Sequence, residues 1–193
     1  MAAWPSVSRR KPQHRTVKTL LTEQQLSQGV AQLAQRVTRQ YADRPLTILG
    51  VLTGSIVLLA DLIRLLDRPL RVGVIQASSY RGATTTRGPL VINSDLMPDI
   101  AGRHVLLVDD IFDTGHTLAE VTALVDEFDP LSIHSAVLLR KAERCEVELT
   151  PDFVGFDIPN EFVVGYGLDY RDAYRNLPYV AALEPADLAA DPP

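Results

Sequence analysis

The chain has 193 residues, of which 46% are hydrophobic and 22% charged, a composition that suits one folded globular domain and excludes a disordered chain. Its formal net charge of -5 at pH 7 argues against a broad nucleic-acid-binding surface, which needs a basic field. Its single cysteine, Cys145, cannot form an internal disulfide, and no apolar run reaches the roughly 18 residues of a membrane span, so we expect a cytoplasmic protein.

The two ends of the chain differ in composition from its middle. The first 22 residues carry five basic and no acidic side chains, a bias that transit peptides share. Pro5 and Pro12 would interrupt the amphipathic helix of a transit peptide, so a solvated tail is the favoured interpretation. We expect a flexible basic tail over residues 1–16, a single domain over residues 17–183 and a loose C-terminal tail over residues 184–193.

The first part of the domain alternates between helix and strand patterns. Apolar residues recur at helical spacing over residues 26–41, and Thr22 precedes them as a candidate N-cap. A short apolar run at residues 46–52 is typical of a buried strand. After a glycine-containing turn, a second helix is predicted over residues 56–66.

The alternation continues to the end of the domain. A third helix is predicted over residues 117–128, and a strand at residues 91–96 is expected to form a hairpin with residues 76–80. The other predicted strands are residues 71–78, 104–108, 132–139, 153–156 and 163–165. This order predicts an α/β fold with a mainly parallel sheet flanked by helices, and a small flap formed by the terminal segments.

Three loops are candidate binding loops in such a fold. In open parallel sheets, ligands bind beyond the carboxyl ends of the strands, where the chain turns into a helix. The loops in question follow Leu52, Val108 and Leu139.

The loop after Val108 carries the most informative side chains, DDIFDTGHT at residues 109–117. A glycine-containing loop that enters a helix offers backbone N–H groups and a positive dipole end to a phosphate. Two leading carboxylates suit sugar hydroxyls or a divalent cation, so the segment indicates a ribose 5-phosphate site. The alternative is an acidic turn that merely caps the helix. The spacing does not match a Walker phosphate loop.

The segment VLLVDDIFDTGHTL, residues 105–118, resembles the phosphoribosyl-pyrophosphate (PRPP) motif of type I phosphoribosyltransferases. Other segments narrow the resemblance to the hypoxanthine(-guanine) phosphoribosyltransferase family: VLTGS at 51–55, SSYRGATTTRG at 78–88, LLRK at 138–141 and DFVGFDIPNEFVVGYGLDYRDAYRNLPYV at 152–180. The resemblance covers roughly residues 17–183. It implies a purine-salvage enzyme that transfers 5-phosphoribose from PRPP to N9 of hypoxanthine, and of guanine, and releases pyrophosphate.

The same resemblance implies roles for the residues of the 109–117 loop. The acids Asp109 and Asp110 would approach the ribose hydroxyls, and Asp113 would be the general base beside N7 of the purine. The residues implied in PRPP and ribose-phosphate binding are Asp109, Asp110, Asp113, Thr114, Gly115, His116 and Thr117. By its local pattern alone, Asp113 could instead serve only as a helix N-cap.

The purine site is implied by residues farther along the chain. Lys141 would donate to the oxygen at purine position 6, which favours 6-oxopurines over adenine because an amino group cannot accept that bond. Arg140 is a competing candidate for this role. Phe162 would stack on the purine and the Val163 backbone would meet its far edge, although a phenylalanine is more often part of a core.

The pyrophosphate is expected to meet the first candidate loop. Its implied ligands are Leu52, Thr53, Gly54, Ser55 and Arg175, the first four through backbone N–H groups. Many family members have Lys or Arg where this chain has Thr53, so a charged contact from that position is in doubt. The family also has a cis peptide at the position between Leu52 and Thr53. A mobile lid over residues 78–88 would reach the pyrophosphate through Ser79 and Tyr80.

The implied cofactor is Mg²⁺, held by Asp109, Asp110 and Asp169, and Asp169 would also lie beside the purine. An ordinary surface ion pair is the alternative for Asp169 and Arg175. The implied partners are the small-molecule substrates and further copies of the chain in a homodimer or homotetramer. Neither nucleic acid nor membrane is expected as a partner.

Three other functions are weighed against this one. A uracil phosphoribosyltransferase and an RNA-binding pyrimidine-operon regulator share the DDxxxTG core, but Lys141, Phe162 and the GLDYRDAYR segment disfavour both. The regulator would also need a basic face, which the net charge of -5 disfavours. A receiver-type signalling domain needs its acidic pair after the first strand rather than at Asp109.

Overall fold

A computed structural model describes residues 18–79 and 90–188. The predicted tail at residues 1–16, the lid residue Tyr80 and the last residues of the chain lie outside the described residues, as does the side chain of Ser79. Over the part that is described, no helix is both long and apolar enough to cross a membrane.

The core of the fold is a six-stranded sheet. Its order is β4-β3-β2-β5-β6-β7, formed by β4 (Leu90–Asn93), β3 (Leu70–Ser79), β2 (Leu46–Leu52), β5 (His104–Phe112), β6 (Ser132–Arg140) and β7 (Phe153–Asp157). All neighbours are parallel except β3 and β4, which form the predicted antiparallel hairpin with Gln76 opposite Asn93. The predicted mainly parallel α/β sheet is confirmed.

Helices cover both faces of this sheet. Alternate residues of β2 point to opposite faces: Ile48 belongs to the cluster that holds α1 (Glu23–Tyr41) and α2 (Ile56–Arg64), and Leu49 to the cluster that holds α3 (His116–Asp126). Burial on both faces explains why the central strands are continuously apolar.

The long helix α1 begins as its sequence predicts. The backbone N–H of Gln25 donates to the Thr22 hydroxyl at 3.3 Å, and the Gln25 side chain accepts from the Thr22 backbone N–H at 2.9 Å, a capping box. Two other helices end before their predicted limits. After α2, the backbone N–H of Leu65 donates to Leu62 O, and after α3 the N–H of Glu127 donates to Leu124 O. Each bond reaches back three residues instead of four, so the last turn tightens and the α-helix ends.

A second, smaller sheet is built from the terminal segments, as predicted for the flap. Its three antiparallel strands have the order β1-β9-β8, formed by β1 (Lys18–Leu21), β9 (Val180–Leu183) and β8 (Phe162–Val164). Within the predicted C-terminal tail, α4 (Pro185–Leu188) forms one helical turn, and the Tyr170 hydroxyl donates to the Leu188 carbonyl at 2.5 Å.

Candidate active site

A cleft of about 290 Å³ opens at the carboxyl edge of the main sheet. It is lined by the end of β2 and the two residues after it, by Ala77, by the segment from Asp109 to Leu118 except His116, and by Asp169 and Arg175. Two of the three loops selected by the sequence therefore border one cavity. The third, after β6, does not line the cavity, but Lys141 Nζ lies 3.5 Å from Oδ2 of Asp113, which does.

Asp109 and Asp110 belong to β5 rather than to the loop after it. The sequence prediction ended this strand at Val108, four residues before its observed end at Phe112. Pairing with β6 continues past Val108, with Asp109 opposite Val137 and Phe112 opposite Arg140. The two acids are consequently held by the sheet. Asp109 Oδ1 accepts from the N–H of Asp110 at 3.0 Å.

Burial dominates the electrostatics of this acidic pair. It raises the pKa of Asp109 well above the ordinary aspartate value, and the neighbouring Asp110 charge adds to the effect. Burial also raises the pKa of Asp110, against hydrogen bonds from Asp109 and from the backbone and the charge of Arg175. Two adjacent buried carboxylates would be relieved by a cation or by hydroxyl donors, which fits a sugar or metal ligand.

The 109–117 segment, the candidate phosphate-binding loop, enters α3 through Gly115. This residue is the N-cap, with a left-handed φ of 89°, and it makes no side-chain cap hydrogen bond. The alternative in which Asp113 caps this helix is therefore wrong. A β-carbon at position 115 would lie 2.4 Å from Val147 Cγ2, so a glycine is required for both backbone shape and space. The uncapped N-terminus is suited to an anion.

The Asp113 carboxylate lies between two cations. Lys141 Nζ approaches Oδ2 at 3.5 Å, and Arg144 Nε approaches Oδ1 at 2.8 Å. Only 7% of Lys141 is exposed, and its backbone N–H donates to Phe112 O at 2.9 Å, so the lysine is anchored to the end of β5. A buried ammonium needs such an acidic partner. The competing residue, Arg140, pairs with Asp157 at 2.6 Å.

Sequence reasoning missed the segment that follows Lys141. Besides the Arg144 contact, the Glu146 backbone N–H donates to Thr114 O at 3.0 Å, and the Glu146 carboxylate lies 3.1 Å from His116 Nε2. The connection between β6 and β7 thus contacts the 109–117 segment through Arg144 and Glu146. The only available signal was the KAER spacing, which puts two cations three residues apart.

The pyrophosphate candidates lie on the opposite wall. Arg175 donates to Gly167 O at 2.8 Å and pairs with Asp169 Oδ1 at 2.8 Å, and both side chains line the cleft. An ordinary surface ion pair does not describe this arrangement. The Leu52–Thr53 peptide is cis, as the resemblance implied.

Some predicted site residues do not line the cleft. Ser55 is buried, and its hydroxyl donates to Val51 O at 2.5 Å, so its side chain is already engaged. Phe162 lies 43% exposed on β8, edge-on to Tyr170, and the Val163 side chain is buried. Lys141, Phe162, Val163, Ser55 and His116 are absent from the lining of the 290 Å³ cleft.

The acids in the cleft fit a metal only when other ligands join them. Across residues 18–79 and 90–188, no three acidic, histidine or cysteine side chains lie close enough to hold a metal ion. Asp109, Asp110 and Asp169, the predicted magnesium ligands, are therefore not a preassembled ligand set. Mg²⁺ usually binds one or two carboxylates together with substrate phosphates and water, and the acidic pair in the cleft suits that mode.

Comparisons with known proteins agree with this geometry. The family model "Phosphoribosyl transferase domain" matches residues 16–171. A hypoxanthine-guanine phosphoribosyltransferase of Streptococcus pneumoniae is 41% identical over 167 residues, 86% of this chain and 93% of that protein.

Two solved structures extend the match to the fold. A Staphylococcus aureus hypoxanthine phosphoribosyltransferase superposes with a TM-score of 0.82 at 39% identity, covering 88% of this chain and 92% of the other. A Trypanosoma cruzi hypoxanthine phosphoribosyl transferase, solved to define the role of its C-terminal region in oligomeric state and activity, gives a TM-score of 0.83 at 36% identity, covering 92% and 97%. The chain belongs to the phosphoribosyltransferase family, among its hypoxanthine-guanine members.

Proposed function

We propose that the protein transfers 5-phosphoribose from PRPP to N9 of hypoxanthine, and of guanine, and releases IMP or GMP and pyrophosphate. The observation that carries this proposal is the pair formed by Lys141 Nζ and Asp113 Oδ2, 3.5 Å apart beside an uncapped helix N-terminus. An ammonium and a carboxylate side by side match the neighbouring O6 acceptor and N7 donor of a 6-oxopurine.

In the proposed reaction, N9 of the purine bonds to C1 of the ribose while the bond from C1 to the pyrophosphate oxygen breaks. The electrons of the broken bond leave with pyrophosphate, and the proton on the imidazole ring of the purine passes to Asp113. The positive charge that develops on the sugar resembles that of glycoside hydrolysis. The N-terminus of α3 would hold the 5-phosphate, through Thr114, Gly115 and Thr117.

Base selection follows from Lys141. Its ammonium donates hydrogen bonds and accepts none, so a 6-oxo group satisfies it and the 6-amino group of adenine does not. Because only 7% of Lys141 is exposed, water does not readily replace the missing acceptor.

Mg²⁺ is part of the proposal and would neutralise charge on the leaving pyrophosphate. Asp109, Asp110 and Asp169 would hold it together with PRPP oxygens, and Arg175 would bind the pyrophosphate through its forked donors. Asp169 would also approach the purine. Phe162 and Val163 would meet the base from β8, and Ser79 and Tyr80 would close over the pyrophosphate.

The protein is also expected to assemble from several copies of the chain. We expect a homodimer or homotetramer in the cytoplasm. The Trypanosoma cruzi relative, in which the C-terminal region has a role in oligomeric state, supports an assembled form. Light scattering coupled to size-exclusion chromatography measures the number of copies, and a mass near 21.3 kDa would reject assembly.

A panel of bases tests the activity. The full chain is incubated with PRPP, Mg²⁺ and one of hypoxanthine, guanine, xanthine, adenine or uracil, and nucleotide and pyrophosphate are quantified. We expect IMP from hypoxanthine, with kcat/KM at least about 100-fold above that for adenine. Nucleotide from uracil alone would favour the pyrimidine alternative, and no nucleotide from any base would reject the proposal.

A further inference from the structure

A single turn of 3-10 helix follows Lys141 and places a second cation, Arg144, beside the proposed base. The turn spans Ala142–Arg144, directly after β6, and the Arg144 N–H donates to Lys141 O at 3.0 Å. Lys141 is the residue before the turn and Arg144 is its last residue, and the side chains of both contact Asp113.

The two cations contact different oxygens of the carboxylate. Arg144 Nε lies 2.8 Å from Asp113 Oδ1, while Lys141 Nζ lies 3.5 Å from Oδ2. Oδ1 is buried and forms no aligned hydrogen bond, so its contact with Arg144 is an ion pair. The Asp113 side chain is 37% exposed as a whole, and with Oδ1 buried this surface lies on its other atoms.

We propose that Arg144 is a positioning residue that makes Oδ2 the proton-accepting oxygen of Asp113. The torsion that rotates an aspartate carboxylate is broad and nearly two-fold, so an unrestrained carboxylate exchanges its oxygens. The guanidinium holds Oδ1, which leaves Oδ2 beside Lys141 as the oxygen that accepts the proton. This inference rests on the proposed function, because it assigns a device to the base of that reaction.

A purely structural ion pair is the competing explanation. The Arg144 side chain is 42% exposed, and exposed pairs contribute little to stability. Arg140 offers a matched control: it is the last residue of β6, four residues before Arg144, and pairs with Asp157 through two hydrogen bonds, and neither residue lines the cleft. Removing either arginine should have a small effect on stability, but only Arg144 acts on the base.

The test compares R144Q, R144K and R140Q in single-turnover formation of IMP from hypoxanthine, which separates chemistry from product release. We expect R144Q to slow the chemical step about tenfold, part of the 100-fold or more that a general base contributes. R144K should recover part of this loss, and R140Q should match the unchanged protein. The KM for PRPP should change by less than about twofold in all three.

A double-mutant cycle with D113N decides whether Arg144 acts through Asp113. If it does, R144Q should slow the D113N protein by less than about twofold, because the group that it positions is gone. A full tenfold loss in the D113N background, or no loss in R144Q alone, would overturn the inference. Failure of the proposed function is a separate outcome, namely no IMP from the unchanged protein or a D113N protein that reacts as fast.

Thermal unfolding of each variant is measured in parallel. If R144Q does not fold, the same cycle is run with R144K, in which the positive charge is kept and the planar guanidinium is lost. A chemical step in R144K equal to that of the unchanged protein, with its D113N double variant equal to D113N alone, would then overturn the need for a guanidinium at this position.

Discussion

The carboxylate of Asp110 occupies the space in which a side chain at Gly54 would lie. A β-carbon on residue 54 would stand 1.6 Å from Asp110 Oδ2. On the other side, the Gly54 carbonyl oxygen lies 2.1 Å from where a β-carbon of Gly167 would be. The loop after β2 is therefore packed between an acid of β5 and the segment that leads to Asp169, so these parts of the cleft are coupled.

Gly54→Ala should disturb both the Asp110 carboxylate and the loop after β2. We expect a loss of about 1–3 kcal/mol of stability from overpacking and at least a tenfold fall in kcat/KM for PRPP. Gly102→Ala is the control. The φ angle of Gly102 is +66°, but no atom beyond its chain neighbours would lie within 4 Å of an added β-carbon. This variant should therefore lose about 1–2 kcal/mol of stability and keep its activity. Urea unfolding and steady-state kinetics measure both. Unchanged activity in Gly54→Ala would show that the close packing is not needed.

Lys141→Met should remove the preference for a 6-oxygen while keeping the volume of the side chain. We expect kcat/KM for hypoxanthine to fall about 100-fold or more, with a smaller loss for adenine, so that the ratio of the two collapses. Lys18→Met is the control, since Lys18 is exposed and pairs with Glu161 at 2.8 Å. Equal losses for both bases would mean that Lys141 does not select the base.

Asp109→Asn should stabilise the protein at neutral pH while impairing activity. The raised pKa means that the folded protein binds this proton more tightly than the unfolded chain does. Its contribution is complete below the unfolded pKa, about 3.9, and is lost as pH rises through the raised folded pKa. Asparagine cannot ionise, so the variant should be more stable by about 1 kcal/mol at pH 8 and lose this advantage toward pH 4.

Urea unfolding at pH 4, 6 and 8, without substrate or magnesium, measures the Asp109→Asn effect. Asp67→Asn is a suitable control because Asp67 is exposed and lies outside the cleft. A variant that is less stable at pH 8, or equally stabilised at every pH, would show that burial of an ionised Asp109 does not oppose folding.

Tyr166→Phe should loosen the wall that carries Arg175. The Tyr166 hydroxyl donates to Asp61 Oδ2 of α2 at 2.6 Å, and the residue is only 8% exposed. We expect a loss of about 1 kcal/mol of stability and a severalfold higher KM for PRPP. Tyr170→Phe, which loses a bond to Leu188 O, should cost similar stability without the change in KM. Identical KM values in the two variants would reject the link to Arg175.

Much of the fold could be predicted because its determinants are local. The apolar spacing of α1, its Thr22 cap and the continuous apolar run of β2 are encoded within a few residues of each element. The end of β5 could not be predicted in this way, because the strand continues as far as β6 offers a partner, up to the pair of Phe112 and Arg140. Pairing between strands far apart in sequence leaves no local signal.

The site shows the same division. The acids and the glycine of segment 109–117 marked it as a candidate site. Whether Asp113 caps α3 depended on where the helix begins, and it begins at His116 with Gly115 as the N-cap. Arg144 was missed because its partner lies 31 residues earlier, on another strand–helix connection. The resemblance supplied Lys141 and Arg175, which no short motif would have joined to Asp113.

The chemical step of Asp113→Asn tests the account most directly. Single-turnover IMP formation and PRPP binding by calorimetry are measured on the same preparation. The account predicts a rate at least about 100-fold slower and a PRPP dissociation constant within about threefold of that of the unchanged protein. Equal losses in rate and affinity, or an unchanged rate, would contradict the assignment of Asp113 as the base of this phosphoribosyl transfer.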